Sequence, residues 1–289
     1  MIAWPTSLVR EVAARRCVFF LGAGVSATAT DKDGKRPKTW TQFLEEACKL
    51  ITSGTKRKIV KKLIKDKKYL LALQGIRDEV NTADYRDLLN QHFHTPSYEP
   101  STLHKYICDL DSRIVITTNF DRIYERYCQQ PGNRGAYKTI DYSSMDLIDE
   151  IRSDTRLIIK AHGSIDDISQ MIFTRSEYHR TKRNFPHFYE ILKAIFLTHT
   201  VIFIGCSLED PDVQLLLEEV KLTGSSERPH YAIICKRSQD ALTLADWRKT
   251  YNVEVLEYGP SHDNLPNELR TLAERVEAER TTIMTYTLP

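Results

Sequence analysis

The stretch Val18-Phe19-Phe20-Leu21-Gly22-Ala23-Gly24-Val25-Ser26-Ala27 joins a short apolar run to a glycine-rich turn. Its G-x-G-x-x-A spacing fits the turn that binds a dinucleotide between a first strand and the following helix. We predict that Gly22, Ala23 and Gly24 contact a pyrophosphate, because glycines let backbone N–H groups come close to it, and that Ser26 contacts a phosphate or a ribose. The pattern alone also fits a tight strand-to-helix connection without a ligand, and Ser26 also fits a helix N-cap.

Short apolar runs bounded by turn residues recur along the chain, and stretches with helical spacing separate them. The runs lack polar alternation, which is typical of strands that helices cover on both faces. They are Val18–Leu21, Ile114–Ile116, Leu157–Ile159, Val201–Ile204, Tyr231–Cys235 and Val253–Leu256. This alternation predicts an α/β fold, a Rossmann-like parallel sheet with an inserted helical subdomain.

The chain is predicted to be a single domain over residues 1–289 with one helical insert. The range Thr39–Asp111 is too long for one crossover helix and lacks a strong strand, so we interpret it as that insert. We expect it to pack with residues 172–198. Helical spacing is clear in Thr39–Leu50 and in Asp212–Leu222, where Pro211 stands at a favoured first helical position.

Composition and charge exclude several classes of protein. The 41 basic and 39 acidic residues give a formal charge of only +2, which does not indicate a nucleic-acid coat or a polybasic membrane protein. No apolar run approaches the roughly 20 residues that span a bilayer, and Met1–Cys17 lacks the apolar stretch of a signal peptide. The six cysteines form no Cys-x-x-Cys pair. We therefore expect a cytoplasmic protein with reduced thiols and no membrane association.

A basic run at residues 56–68 interleaves lysines with isoleucine, valine and leucine. It fits an amphipathic surface helix with a solvated basic face, and contact with nucleic acid or an acidic partner is the alternative. His92 and His94 have no Cys, Asp or Glu cluster at ligand spacing around them, so we predict no metal site.

Three further motifs follow predicted strands at their carboxyl ends, where open α/β sheets bind ligands. They are Thr117-Thr118-Asn119-Phe120-Asp121, His162-Gly163 and Gly205-Cys206-Ser207-Leu208. Together with the glycine turn, this set and order resemble the sirtuin superfamily. Two features differ from its deacylases: no zinc-binding Cys-x-x-Cys pairs follow His162-Gly163, and Thr118 replaces the usual Gln.

Other residues make the chain similar to the sirtuin-like NAD hydrolases of bacterial antiviral defence. These residues are Pro37, Trp40, Phe43, Leu44 and the pair Leu103-His104. The resemblance covers Arg16–Leu217 and implies NAD as the substrate, with no metal. An ordinary dehydrogenase is disfavoured, because a strand-end acidic residue would hold the ribose about 20 residues after the turn. Glu45 and Glu46 lie there inside a predicted helix instead.

The resemblance also assigns roles to site residues. His162 is expected to act as the base on a ribose hydroxyl or on water, since histidine accepts a proton near neutral pH. Asn119 is expected to orient the nicotinamide-side ribose or the attacking water, although a turn Asn bonding its own backbone is the alternative. Asp121 either faces the ribose or carboxamide or caps the helix starting near Arg122. The remaining cofactor-binding residues are Thr118, Gly205 and Ser207, the last two at the adenosine side.

The activity that the resemblance implies is hydrolysis of NAD to nicotinamide and ADP-ribose by an NAD-depleting effector of antiviral defence. An ADP-ribosyltransferase or cyclase would share the first bond cleavage and differ in the acceptor. A non-catalytic NAD or ADP-ribose sensor would need only the pocket, and retention of Asn119 and His162 disfavours it. The absent zinc-binding cysteines disfavour a protein deacylase.

The expected partners also come from the resemblance. A free NAD hydrolase would drain an essential cofactor, so we expect a homo-oligomer controlled by a separate partner. The resembled families are gated by self-assembly, by a fused sensor or by a companion such as a HerA-type ring ATPase. The chain has no G-x-x-x-x-G-K-[ST] segment for ATP chemistry. The insert Thr39–Asp111 and the tail from Glu268 are the surfaces nominated for these contacts.

Overall fold

A seven-stranded parallel sheet organises the protein. The computed structural model describes residues 1–94, 97–133, 137–206, 208, 211–223 and 228–287. The strands are β1 (Cys17–Leu21), β2 (Ile114–Thr117), β3 (Tyr137–Asp141), β4 (Arg156–Lys160), β5 (Thr200–Ile204), β6 (His230–Cys235) and β7 (Val253–Tyr258). Their order across the sheet is β3-β4-β2-β1-β5-β6-β7, and every neighbouring pair is parallel. The predicted α/β class with a Rossmann-like sheet is confirmed.

Edge strand β3 is the strand that the sequence did not predict. Tyr137 and Ile140 are buried, whereas Lys138 and Thr139 between them are exposed. These two exposed residues interrupt the apolar pattern, so no continuous apolar run marks this strand. The six apolar runs predicted as strands all lie in the sheet.

Helices cover both faces of the sheet. They are α1 (Thr6–Ala13), α2 (Ala23–Ser26), α3 (Trp40–Lys49), α4 (Gly54–Lys65), α5 (Tyr69–Glu79), α6 (Thr82–Leu89), α7 (Thr102–Asp109), α8 (Ile123–Cys128), α9 (Leu147–Arg152), α10 (Arg175–Asn184), α11 (Pro186–Thr198), α12 (Pro211–Thr223), α13 (Ala241–Tyr251) and α14 (Leu265–Thr287). A π-helical turn spans Asn90–His94, and 3-10 turns span Ile165–Gln170 and His262–Asn264. Among the described helices, none combines the length and the apolar character that crossing a bilayer requires.

Successive side chains of β1 enter different cores, as the two-residue period of a strand dictates. Phe19 and Leu21 share a core with α1, α7 and α14. Val18 and Phe20 share the opposite core with α11, α12 and α13. The central strands are therefore buried on both faces, which is why their sequences are continuously apolar.

Helices α3 to α6 and the π-helical turn, residues 40–94, form a third core, and we call this unit the helical module. Side chains from the strand-end loops join this core, among them Phe120, Met171 and Phe173. Helix α7, which the predicted insert includes, shares the sheet core with α1 and α14 instead. The insert that lies apart from the sheet therefore ends before α7.

The stretch predicted to pack with the insert divides between two neighbours. In α10, Ser176 Oγ donates to Gln74 Oε1 of α5 at 2.8 Å, which joins this helix to the helical module. In α11, Phe188, Leu192 and Phe196 are buried against the sheet. Residues 172–198 thus bridge the helical module and the sheet.

Helix α4 carries most of the basic run. Val60 and Ile64 are buried in the core of the helical module, whereas the lysines of residues 56–68 are all exposed. Lys56 forms an ion pair with Glu79. The run is thus an amphipathic surface helix with a solvated basic face, and contact of this face with a nucleic acid or an acidic partner stays a prediction.

The C-terminal helix α14 belongs largely to the core. Leu269, Leu272 and Val276 are buried with α1 and α7. Glu268 accepts a hydrogen bond from the Ile2 N–H at 2.8 Å, and buried Arg280 donates to the Leu110 carbonyl at 2.9 Å. Folding already uses the inner face of this tail, so only its outer face is left for the partner contact predicted from Glu268 onward.

Candidate active site

The register of the sheet aligns the last residues of four neighbouring strands. Lys160 pairs with Thr117, Thr117 with Leu21, and Leu21 with Ile204. The turns after β4, β2, β1 and β5 therefore leave the sheet side by side, at the edge where open α/β sheets bind ligands. The direction of strand order reverses between β1 and β5, so the glycine turn lies at the topological switch point.

The two glycine turns at this switch point are in direct backbone contact. The Gly24 N–H donates to the Gly205 carbonyl at 3.0 Å, and the Gly22 N–H donates to the Ile204 carbonyl at 3.0 Å. A Cβ on Gly24 would lie 2.8 Å from the Gly205 Cα, and Gly205 itself has a φ of +67°. The glycines thus have a packing role besides the predicted approach to a phosphate, and the Gly24 N–H is already used within the protein.

We predict that Gly24→Val destabilises the protein and weakens NAD binding. The added side chain would force the turns of β1 and β5 apart, at a cost of about 1–3 kcal/mol or more from overpacking. Thermal unfolding and calorimetric titration with NAD measure the two effects.

The matched control for this change is Gly54→Val in α4, where a Cβ meets no atom within 4 Å. It should leave both the melting temperature and the NAD affinity close to wild type. Equal behaviour of the two variants would show that the contact between the turns is unimportant.

Asn119 links the β2 turn to the glycine turn. Its Nδ2 donates to the Gly22 carbonyl at 2.9 Å and to Ser26 Oγ at 3.0 Å. Its backbone N–H donates to Thr117 Oγ1 at 3.1 Å. The side chain therefore bonds the dinucleotide turn rather than its own backbone, and in this half-buried residue Oδ1 is the amide atom left to accept from a ligand.

Asp121 and Ser26 complete this hydrogen-bonded cluster. Ser26 Oγ donates to Asp121 Oδ2 at 2.7 Å, and Asp121 Oδ1 accepts the Ile123 N–H at 3.0 Å. The carboxylate thus accepts the N–H of the first residue of α8, although the N-cap residue of this helix is Arg122. Ser26 ends the short helix α2 and does not cap a helix N-terminus.

His162 follows β4 and is buried, with only 7% of its surface exposed. Its ring meets the Tyr178 ring edge-on at a centroid distance of 5.1 Å. The Tyr178 hydroxyl lies 3.4 Å from His162 Nδ1, and the Ile172 N–H donates to the His162 carbonyl at 2.9 Å. Tyr178 of α10 therefore helps to hold the ring, a role that no sequence signal near the His-Gly motif indicated.

A buried ion pair between Lys160 and Glu125 stabilises the turn that carries Asp121. Lys160 Nζ donates to Glu125 Oε1 and to the Asp121 carbonyl, both at 2.6 Å. The two side chains are 0% and 3% exposed. Burial raises the pKa of Glu125, and the Lys160 charge opposes that rise. This pair links β4 to α8 and to the β2 turn. In the sequence, the signal for the pair is a lysine directly after the apolar run Leu157–Ile159.

Aromatic side chains connect the site to the helical module. Phe120 and Phe173 stack with ring centroids 4.1 Å apart. Trp40 packs edge-on against both, at 6.5 and 5.8 Å, and is 38% exposed. The helical module is thereby anchored beside Asn119, through the residue that follows it.

Two other predicted site residues, Thr118 and Gly205, contact β1 or the glycine turn. The Thr118 N–H donates to the Leu21 carbonyl at 3.3 Å, and Gly205 contacts the glycine turn as described. Ser207 lies outside the described residues. Fully buried His104 accepts the Ser101 N–H at Nδ1, 3.0 Å away, and burial lowers its pKa to about 4, so it is a packing residue.

The described side chains contain no group of three or more His, Cys, Asp or Glu that could hold a metal ion. His92 Nε2 lies 2.8 Å from Glu46 Oε2, which also forms an ion pair with Lys38. The six cysteines are free thiols.

One family of known proteins matches the stretch of sequence that contains most of this site. Residues 113–256, which include the Asn119 and His162 motifs, match the SIR2-like domain family. This part of the chain is a SIR2-like domain. This confirms the resemblance to sirtuin-like proteins that the four motifs indicated.

Three curated relatives share part of their sequence with this chain. It is 30% identical to NAD(+) hydrolase ThsA of Enterococcus faecium over 142 residues, 48% of this chain and 29% of that protein. It is 31% identical to NAD(+) hydrolase ThsA of Cytobacillus dafuensis over 134 residues, 46% and 26% of the two chains. It is 26% identical to Defense-associated sirtuin 2 of Bacillus subtilis over 209 residues, 71% of this chain and 19% of that protein. The match covers less than a third of each relative.

Proposed function

We propose that this protein is an NAD glycohydrolase, which cleaves the bond between nicotinamide and ribose. The observation that carries the proposal is the hydrogen bond from Asn119 Nδ2 to the Gly22 carbonyl at 2.9 Å, which fixes an amide side chain beside the dinucleotide turn. His162 follows β4, the strand next to the one that leads to Asn119. Relatives named NAD(+) hydrolase support the same activity.

The reaction requires stabilisation of charge and acceptance of one proton. When the C1′–N bond breaks, its electron pair goes to the pyridinium ring and nicotinamide leaves as a neutral molecule. The ribose has oxocarbenium character until a water oxygen adds to C1′ and releases a proton. His162 accepts that proton, or one from a ribose hydroxyl, and Asn119 Oδ1 orients the group that carries it.

A role in antiviral defence is part of this proposal. A relative named Defense-associated sirtuin 2 supports it. Depletion of NAD by this chain would act on an essential cofactor, so control by self-assembly or by a separate partner such as a HerA-type ring ATPase fits the proposed activity. The homo-oligomer, the partner and the cytoplasmic location stay predictions.

Product analysis tests the proposal. We expect purified protein to convert NAD into equal amounts of nicotinamide and ADP-ribose, resolved by chromatography and mass spectrometry, with one labelled oxygen in ADP-ribose when isotopically labelled water is the solvent. A chelator should leave the rate unchanged. ADP-ribose attached to protein, or a cyclic product, would identify a transferase or a cyclase instead. NAD that binds and stays intact would contradict hydrolysis and favour a sensor.

A further inference from the structure

A cavity lies between the helical module and α10, beside the loop that follows β4. It has a volume of about 190 Å³ and is bounded by α5, α6, the 3-10 turn Ile165–Gln170 and α10. This is room for roughly six water molecules at about 30 Å³ each, or for a small anion of comparable size. None of the residues that line it belongs to the glycine turn, to the Asn119 motif or to the His-Gly motif.

The charges around this cavity are unbalanced. Three arginines line it, Arg77, Arg86 and Arg180, against one acidic residue, Glu177. Glu177 Oε2 already accepts the N–H groups of Phe173 and Thr174, at 2.9 and 2.8 Å. Within the described part of the chain, none of the three arginines pairs with a carboxylate. Like charges gathered in this way repel one another unless an anion lies among them.

The walls of the cavity hold one of these groups in place. The Arg77 guanidinium lies 5.1 Å above the centre of the Tyr85 ring, a cation–π contact that restricts its orientation. Tyr85 is 5% exposed, so this wall is fixed by the core of the helical module. Arg86 and Arg180 are exposed and come from two other helices. Leu89, Ile168, Met171 and Phe173 supply an apolar wall.

We propose that this cavity binds a phosphate-bearing anion. Guanidinium groups present planar pairs of N–H donors that match phosphate oxygens, and three of them from three helices can surround one such group. The apolar wall would pack against the organic part of the ligand. The cavity is also close in sequence to the candidate active site, because Met171 and Phe173 flank Ile172, whose N–H donates to the His162 carbonyl at 2.9 Å.

Calorimetric titration of the full chain with inorganic pyrophosphate, at fixed ionic strength and without NAD, tests this proposal independently of any hydrolase activity. We expect saturable binding to wild type. Arg77→Gln and Arg180→Gln should each weaken it about tenfold or more, since each removes a charge-assisted hydrogen bond. The matched control is Arg248→Gln, an exposed arginine on α13, which should bind pyrophosphate like wild type.

Three outcomes would overturn the proposal. The first is that wild type shows no saturable binding of pyrophosphate. The second is that the cavity variants bind pyrophosphate as tightly as wild type, which means that it binds elsewhere. The third is that Arg248→Gln weakens binding as much as the cavity variants do, which indicates a general effect of charge. Arg86→Gln is a third cavity variant, at the other exposed arginine of the cavity. Melting temperatures near that of wild type establish that each variant is folded.

Discussion

Replacing His162 by alanine is expected to lower the rate of nicotinamide release about 10²- to 10⁴-fold, the range typical of a lost general base. The proposed proton acceptor would be gone, while the dinucleotide turn and Asn119 stay in place. Initial rates at saturating NAD measure the loss. NAD affinity should change little, because the dinucleotide turn is untouched, and the melting temperature shows whether the variant is folded.

The control for this variant is His179→Ala. His179 is exposed on α10, next to Tyr178, and lies outside the proposed chemistry. Its loss should leave the rate unchanged. Asn119→Ala is the companion variant, and its rate of nicotinamide release should fall about 10²-fold or more. Asn184→Ala, at the exposed end of α10, should leave that rate unchanged. Wild-type turnover by a folded His162→Ala protein would remove the proposed base.

Replacing Lys160 by methionine is expected to destabilise the protein by about 3–5 kcal/mol. The change leaves the Glu125 carboxylate buried, at 3% exposure, without the cation that lies 2.6 Å away in the wild type. It also removes the bond to the Asp121 carbonyl, which holds the β2 turn. Urea unfolding followed by circular dichroism measures the free energy of unfolding.

The pH dependence of this loss identifies its cause. Burial raises the pKa of Glu125 above its value in the unfolded chain, and removal of Lys160 takes away the group that opposes the rise. A raised native pKa means that the folded variant holds this proton more tightly than the unfolded chain. Its stability relative to wild type should therefore be greatest below the unfolded pKa and fall as pH rises through the native pKa.

Two further variants separate the buried pair from surface charge. Lys160→Met with Glu125→Leu removes both charges and should recover much of the lost stability. Lys138→Met breaks the exposed ion pair between Lys138 Nζ and Glu150 Oε1, which are 2.6 Å apart. It should have little effect on the free energy of unfolding because solvent screens that pair. If Lys160→Met lost no more stability than Lys138→Met, the buried pair would have no special role.

Patterns of a few neighbouring residues determined much of the fold and part of the candidate site. Apolar runs identified six of the seven strands, and five of these runs belong to the central strands, which are buried on both faces and need no polar alternation. Residues placed directly after those runs, such as Asn119 and His162, had to emerge at the carboxyl edge of the sheet. Edge strand β3 gave no such run, since Lys138 and Thr139 in its middle are exposed.

Contacts between distant parts of the chain were decided by the tertiary structure alone. The backbone contact of Gly24 with Gly205 exists because β5 pairs with β1. Tyr178 meets His162 because α10 joins the sheet to the helical module. The cavity with three arginines needs α5, α6 and α10 in one place. A sequence specifies such contacts only through the packing of whole elements, so the short-range patterns that predict strands, helices and turns do not contain them.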